Sequence, residues 1–185
     1  MGHTSNTRYA AKLAGMPRPS NTWPRWLVTG GGLGFLKPAP GSWGTVGPAL
    51  VYWLMLSYHL PDPWRSCILL AGALAASTLL IIYGQWACAY FQKIDPGQVV
   101  LDEFAGFWIT CAFVKVPETL AHSAGMTWLF TVGLFILFRL MDTLKIPPAN
   151  YLERLPWGWG ILLDDIAAGI QANLLAQVLI WAIWR

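Results

Sequence analysis

The residues best suited to chemistry are acids set in an otherwise apolar chain. Asp164 and Asp165 lie in GWGILLDDIAAG, from Gly158 to Gly169, ahead of an uncharged run from Ile166 to Trp184. That run is long enough to cross a hydrocarbon core of ~30 Å. Adjacent carboxylates at its mouth repel each other and resist desolvation, and a divalent cation is the commonest remedy. The competing explanation is a solvated helix start, with aspartate as N-cap and first-turn charge. A second pair, Asp102-Glu103, lies in DPGQVVLDEFAG, which also holds Asp95 as a further candidate. Asp142 lies in FRLMDTLKIPPA between Arg139 and Lys145, at spacings that place all three near one helix face. For Arg139 an ordinary ion pair within a helix competes with a role in binding.

These acids stand out because the chain has so few. Of 185 residues, 56% are hydrophobic and 11% are charged, against ~25% charged in a soluble domain. This composition describes one polytopic, all-α membrane domain over residues 26–185. Residues 1–25 form a flexible basic arm with Arg8, Lys12, Arg18 and Arg25, broken by Pro17, Pro19 and Pro24. The arm either lies on anionic headgroups or is a plain disordered terminus. A net charge of +3 without a basic-aromatic pattern excludes nucleic acid as a partner. Cys67, Cys88 and Cys111 sit in apolar runs, without disulfide or zinc spacing, and read as buried thiols. His59 and His122 adjoin loops and read as interfacial.

The apolar runs that must position the acids are 45–60, 66–91, 104–114, 124–138 and 166–184, or about four to five membrane helices. PDPWR, between the first two, reads as a tight exposed turn. The third run covers only about 16 Å. Either the helix extends back through Val99 to Glu103, or the segment is partly re-entrant. Ile146-Pro147-Pro148 ends the fourth helix. Ahead of the first run, GGGLGFLKPAPGSWGT spans Gly30 to Thr45. Its backbone N–H groups, with Gly41 and Gly44 among them, could cradle an anion beside Lys37, Ser42 and Thr45. Thr45 as N-cap, with Pro48 in the first turn, would aim a helix N-terminus at the same spot. A plain turn explains the glycines equally well.

With the N-terminus inside, Arg8, Lys12, Arg18, Arg25, Lys37, Lys93, Arg139, Lys145 and Arg154 fall on the inner side. Only Arg65, Lys115 and Arg185 fall outside, as the positive-inside rule requires. The same topology gathers Asp95, Asp102, Glu103, Asp142, Asp164 and Asp165 on the inner face. Oxygen ligands without His or Cys select Mg²⁺ or a similar ion. Carboxylates holding a metal, with cations and amides nearby, suit phosphoryl transfer on a lipid phosphate drawn from the bilayer.

PAPGSWGT, DPGQVVLDEFAG, FRLMDTLKIPPA and GWGILLDDIAAG occur here in the order and spacing of the phosphatidylglycerophosphatase A family, which the chain resembles from about Gly30 onward. The resemblance implies a helical bundle around a central helix in the bacterial inner membrane, and the charge topology above has the active site facing the cytoplasm. It implies Mg²⁺-dependent removal of the terminal phosphate of phosphatidylglycerophosphate, giving phosphatidylglycerol and inorganic phosphate. Carried over by motif, the acidic positions are Asp95, Asp102, Glu103, Asp142, Asp164 and Asp165, and the lysine is Lys145. Asp102, Glu103, Asp164 and Asp165 are assigned to the metal, and Asp142 is ligand or general base. Asp142, Asp164, Asp165 and Lys145 form the catalytic set. Lys37, Gly41, Ser42, Gly44, Thr45 and Arg139 are assigned to the phosphate. Ile146 and the bulky Trp157 and Trp159 depart from the family pattern. A water activated by the metal is preferred to an aspartyl-phosphate, because the DxDx(T/V) arrangement is absent. The alternative is a divalent-cation-binding membrane protein or transporter, although no internal repeat supports it.

Overall fold

Within a bilayer the backbone has no water to pair with, and helices satisfy each N–H and C=O inside one segment. The computed structural model describes residues 13–152, 155 and 158–184, and these form helices and no strand. Arg8 and Lys12 of the basic arm lie outside the described residues, as do Glu153, Arg154, Trp157 and Arg185.

Helix α1 (Pro24–Val28) leads into a 3-10 turn (Gly30–Phe35). Gly30, Gly31 and Gly32 take φ of 57°, 71° and 105°, left-handed backbone that a Cβ disfavours. Then come α2 (Pro40–Ser57), α3 (Asp62–Phe91), α4 (Leu101–Cys111) and α5 (Glu118–Ala121). They are followed by α6 (Ala124–Leu144), α7 (Ala149–Leu152) and α8 (Gly158–Ile183). Helices α3, α6 and α8 are long and apolar enough to cross a membrane. Leu74, Ile82, Leu129, Ile136 and Leu174 on their outer faces are exposed, an apolar exterior that suits lipid.

Helices α2, α3, α4, α6 and α8 run alternately between the two ends of this bundle. At one end the Trp53 indole donates to Ala124 O (3.1 Å), and the Trp184 indole to Thr119 Oγ1 (3.0 Å). At the same end the Phe113 N–H donates to Ser66 Oγ (3.0 Å), in the early part of α3. So α4, although only 11 residues long, does not turn back. Its acidic start lies at one end and its exit at the other. Helix α4 is also the central one, packed against α2, α3, α6 and α8. Tyr52, Leu69 and Phe138 bury one half of it, Leu80 and Val99 the other, and Trp108 touches both groups.

A helix that stops inside an apolar bundle strands its last carbonyls. Asn173 of α8 resolves this, because its Nδ2 donates to Ile109 O (3.1 Å), Thr110 O (2.9 Å) and Ala112 O (2.7 Å). Asn173→Leu is therefore expected to cost about 1–3 kcal/mol. Detergent thermal unfolding checks this, and an unchanged midpoint would remove Asn173 from the account.

Three local expectations change. Helix α2 starts at Pro40, with Ala39 as N-cap, so Thr45 is not the cap and Pro48 lies inside the helix. Proline suits the first helical position because its missing N–H is not needed there. PDPWR is exposed from Pro61 to Trp64 but is no turn: α3 starts at Asp62, and Arg65 is buried. Arg65 pairs with Asp62 and donates to Leu60 O (3.2 Å) and Val114 O (3.3 Å), which tethers the exit of α4. Cys67 is exposed on the outer face, whereas Cys88 and Cys111 are buried.

Candidate active site

Helix α8 begins at Gly158, well before its acids, so Asp164 and Asp165 sit beyond its first turn. They are 7% and 5% exposed, which overturns the solvated N-cap alternative. The reason is local packing. A Cβ on Gly84 of α3 would stand 2.7 Å from Gly158 Cα, so this glycine contact draws the start of α8 into the bundle. Asp102 and Glu103 occupy the first turn of α4 and are buried as well.

A second glycine contact brings these acids together. Gly106 follows Asp102 by one turn, and Gly169 follows Asp165 by one turn. A Cβ on Gly106 would meet Asp165 O at 2.7 Å, and one on Gly169 would collide with Gly106 O. With the backbones this close, one oxygen each from Asp102, Glu103 and Asp165 lie within 4.8 Å of one another. The repeated D-x-x-x-G spacing in DEFAG and DIAAG was the sequence signal for this convergence, and reading the acids alone passes over it.

Helix α6 continues past Phe138 to Leu144 and adds the cations. Arg139 Nη1 lies 2.8 Å from Asp142 Oδ2 and 3.9 Å from Glu103 Oε1. Lys145 ends α6 in a left-handed conformation (φ 46°), and its Nζ donates to Asp164 Oδ2 at 3.1 Å. Gln171 of α8 pins the turn that follows by donating to Ile146 O (3.1 Å) and Pro147 O (3.0 Å). Asp95, Asp102, Glu103, Arg139, Asp142, Lys145, Asp164 and Asp165 all line one cavity of about 220 Å³. Here acids outnumber cations. An anionic phosphate enters such a cavity only if more positive charge enters with it.

Of the residues assigned to the phosphate, Gly41 and Arg139 reach this cavity. A Cβ on Gly41 would collide with Glu103 Oε1 and press on the Arg139 guanidinium. The others are elsewhere. Lys37 is exposed and Ser42 is half-buried, and neither lines the cavity. Gly44 packs against Val100, and the buried Thr45 donates its hydroxyl to Gly41 O (2.9 Å). The glycines at 30 and 34 pack on the segment from Gln98 to Phe104, so the glycine-rich stretch seats α2 against the start of α4. Pro40, Gly97, Val99 and Ile161 also line the cavity and carry no chemical signal in the sequence. Lys37→Ala and Thr45→Val are expected to keep initial rates within about twofold, whereas Arg139→Ala loses about a hundredfold. Initial-rate assays of the three variants decide this, and a large loss in Lys37→Ala would redraw the site.

A family model described as Phosphatidylglycerophosphatase A matches residues 26–180. The chain is 31% identical over 171 residues to a putative phosphatidylinositol-3-phosphatase of Bacteroides thetaiotaomicron, covering 91% of this chain and 99% of that one. It is 31% identical over 157 residues to a phosphatidylglycerophosphatase A of Haemophilus influenzae, covering 80% and 83%. Against a phosphatidylglycerophosphatase A of Escherichia coli it is 30% identical over 162 residues, covering 84% and 83%. No solved structure matches.

Proposed function

The chain belongs to the phosphatidylglycerophosphatase A family and is a membrane lipid phosphatase, and from that premise we propose that it hydrolyses phosphatidylglycerophosphate with Mg²⁺ as cofactor. The products are phosphatidylglycerol and inorganic phosphate. The observation that carries this reading is the cavity in which buried carboxylates from α4 and α8 face Arg139 and Lys145 of α6.

The donor set fits the ion. It consists of oxygens alone, which Mg²⁺ prefers. Asp102 Oδ1, Glu103 Oε2 and Asp164 Oδ1 are buried without a hydrogen-bond partner, as acceptors awaiting a cation would be. Asp102, Glu103 and Asp165 would hold the ion, with Asp164 beside them. When bound, Mg²⁺ supplies charge for the phosphate oxygens and activates water. Arg139 and Lys145 orient the phosphate and offset charge that develops on it. Asp142, ion-paired to Arg139, would take a proton from water or join the ligands.

The membrane is proposed to be the bacterial inner membrane, with the cavity facing the cytoplasm. Arg18, Arg25, Lys37, Lys93, Arg139 and Lys145 support this orientation, against Arg65 in the first turn of α3 and Lys115 after α4 at the opposite end.

The test is phosphate release by purified protein in detergent, with Mg²⁺ or EDTA. The panel is phosphatidylglycerophosphate, phosphatidic acid and phosphatidylinositol 3-phosphate, the last prompted by the name of the Bacteroides relative. We expect the first to be turned over at least about tenfold faster, a margin of about 1.4 kcal/mol, and EDTA to stop release. Faster turnover of the inositol lipid would sink the substrate assignment, and undiminished release in EDTA would sink the cofactor.

A further inference from the structure

Between α6 and α8, away from the catalytic cavity, runs an apolar groove of about 380 Å³. Leu129, Leu137 and Leu140 rise along one wall and Leu179 and Ile180 along the other. The groove exists because a side chain is missing: Gly133 of α6 lines it, with Ala176 on the α8 side. A Cβ on Gly133 would meet nothing within 4 Å. Gly84, Gly106 and Gly169, by contrast, are pressed against neighbouring helices. Among the described residues Gly133 therefore serves no close helix contact, and what it provides is space.

We propose that this groove holds one acyl chain of the lipid substrate while its phosphate occupies the cavity. The inference rests on the phosphatase reading above and adds a subsite to it. Both walls belong to the helices that carry the site, and Leu140 directly follows Arg139. On α8, Ala176 lies about three turns beyond Asp165 on nearly the same face, or about 16 Å along the axis. That is close to half of a ~30 Å hydrocarbon core. A lipid with its phosphate at Asp165 has its chains level with the groove.

The rim decides between a lipid chain and a helix of a second copy. Helices pack in membranes where small residues let backbones approach. Leu129, Ile136 and Leu140 on the α6 side are bulky and largely exposed, and Leu179 and Trp184 on the α8 side are too. A partner helix would be held off by them, whereas a thin flexible chain slips between them to Gly133.

The test compares Gly133→Phe with the unsubstituted protein on dioleoyl and on water-soluble dihexanoyl phosphatidylglycerophosphate. Open space around Gly133 makes the substitution compatible with the fold. For the dioleoyl lipid, kcat/KM is expected to fall roughly fivefold to tenfold through lost chain packing. For the dihexanoyl lipid it falls by less than about twofold, because a six-carbon chain fills little of the groove and loses little packing. Unchanged dioleoyl turnover overturns the proposal, and so does an equal fall on both substrates. As a second measurement, a dioleoyl lipid with a mid-chain diazirine should label peptides around Gly133, and label elsewhere counts against the groove. A disulfide-linked dimer formed by Gly133→Cys in membranes would give the groove to a second copy and also overturn the assignment. If the unsubstituted protein releases no phosphate from either substrate, it is the phosphatase reading that fails.

Discussion

Asp165→Asn is expected to abolish phosphate release, by a factor of at least about a hundred, while leaving the fold as stable as before or more so. The two effects have opposite signs because Asp165 has opposite roles in them. For activity it is one of three buried acids whose oxygens lie within 4.8 Å of one another. Asparagine keeps the shape and removes the charge that would bind the ion. For stability without metal the same charge is a burden, since it is held out of water beside Asp102 and Glu103. Thermal unfolding in detergent separates the two. With EDTA, the substitution should leave the midpoint unchanged or raise it. Adding Mg²⁺ should raise the midpoint of the unsubstituted protein and not that of the variant, because a ligand stabilises only the state that binds it. A lower midpoint for the variant in EDTA would mean that Asp165 holds the fold together and does not serve a cation.

Gly169→Leu should fail in the opposite order, through the fold first. The new side chain must enter the space held by Gly106 O, which is backbone and cannot rotate away. Overpacking of this kind costs about 1–3 kcal/mol where neighbours can yield, and more where they cannot. Relief comes only by parting α4 from α8, which draws Asp102 and Glu103 away from Asp165. Activity should therefore be lost together with a drop in the unfolding midpoint that Mg²⁺ does not restore. Gly169→Ala makes the graded case, with a smaller loss of both. If the leucine variant unfolds at the normal temperature and remains active, the helices do not cross as described.

The acids were legible in the sequence because carboxylates are so rarely found in apolar surroundings. Asp102, Glu103, Asp142, Asp164 and Asp165 do share one cavity, and the charge balance of the loops gathered them at one end in advance. What sequence reading passed over was packing. Gly158 to Gly160 look like a loop, yet they begin α8, because Gly84 offers a place to lie against. Thr45 has the chemistry of a cap, but Pro40 begins the helix and the threonine turns its hydroxyl to its own backbone. Arg65 reads as a surface charge, yet the Leu60 carbonyl and the Val114 carbonyl at the exit of α4 give it a buried seat. Asn173 is one of three amides in an apolar run, and its value appears only when the carbonyls of another helix arrive beside it. Except for Thr45, the deciding partner lies far away in the chain, where periodicity and propensity carry no information.

The cavity is assembled from α4, α6 and α8, and α8 comes last in chain order among the described helices. A ribosome makes these helices in sequence. Until α8 has been inserted, Asp102 and Glu103 face no Asp165, and Lys145 has no Asp164. With the site as proposed, a chain that still lacks α8 is expected to be inert toward its lipid. Activity is expected to begin only when α8 docks against α4 and α6, so turnover would report that these three helices have met.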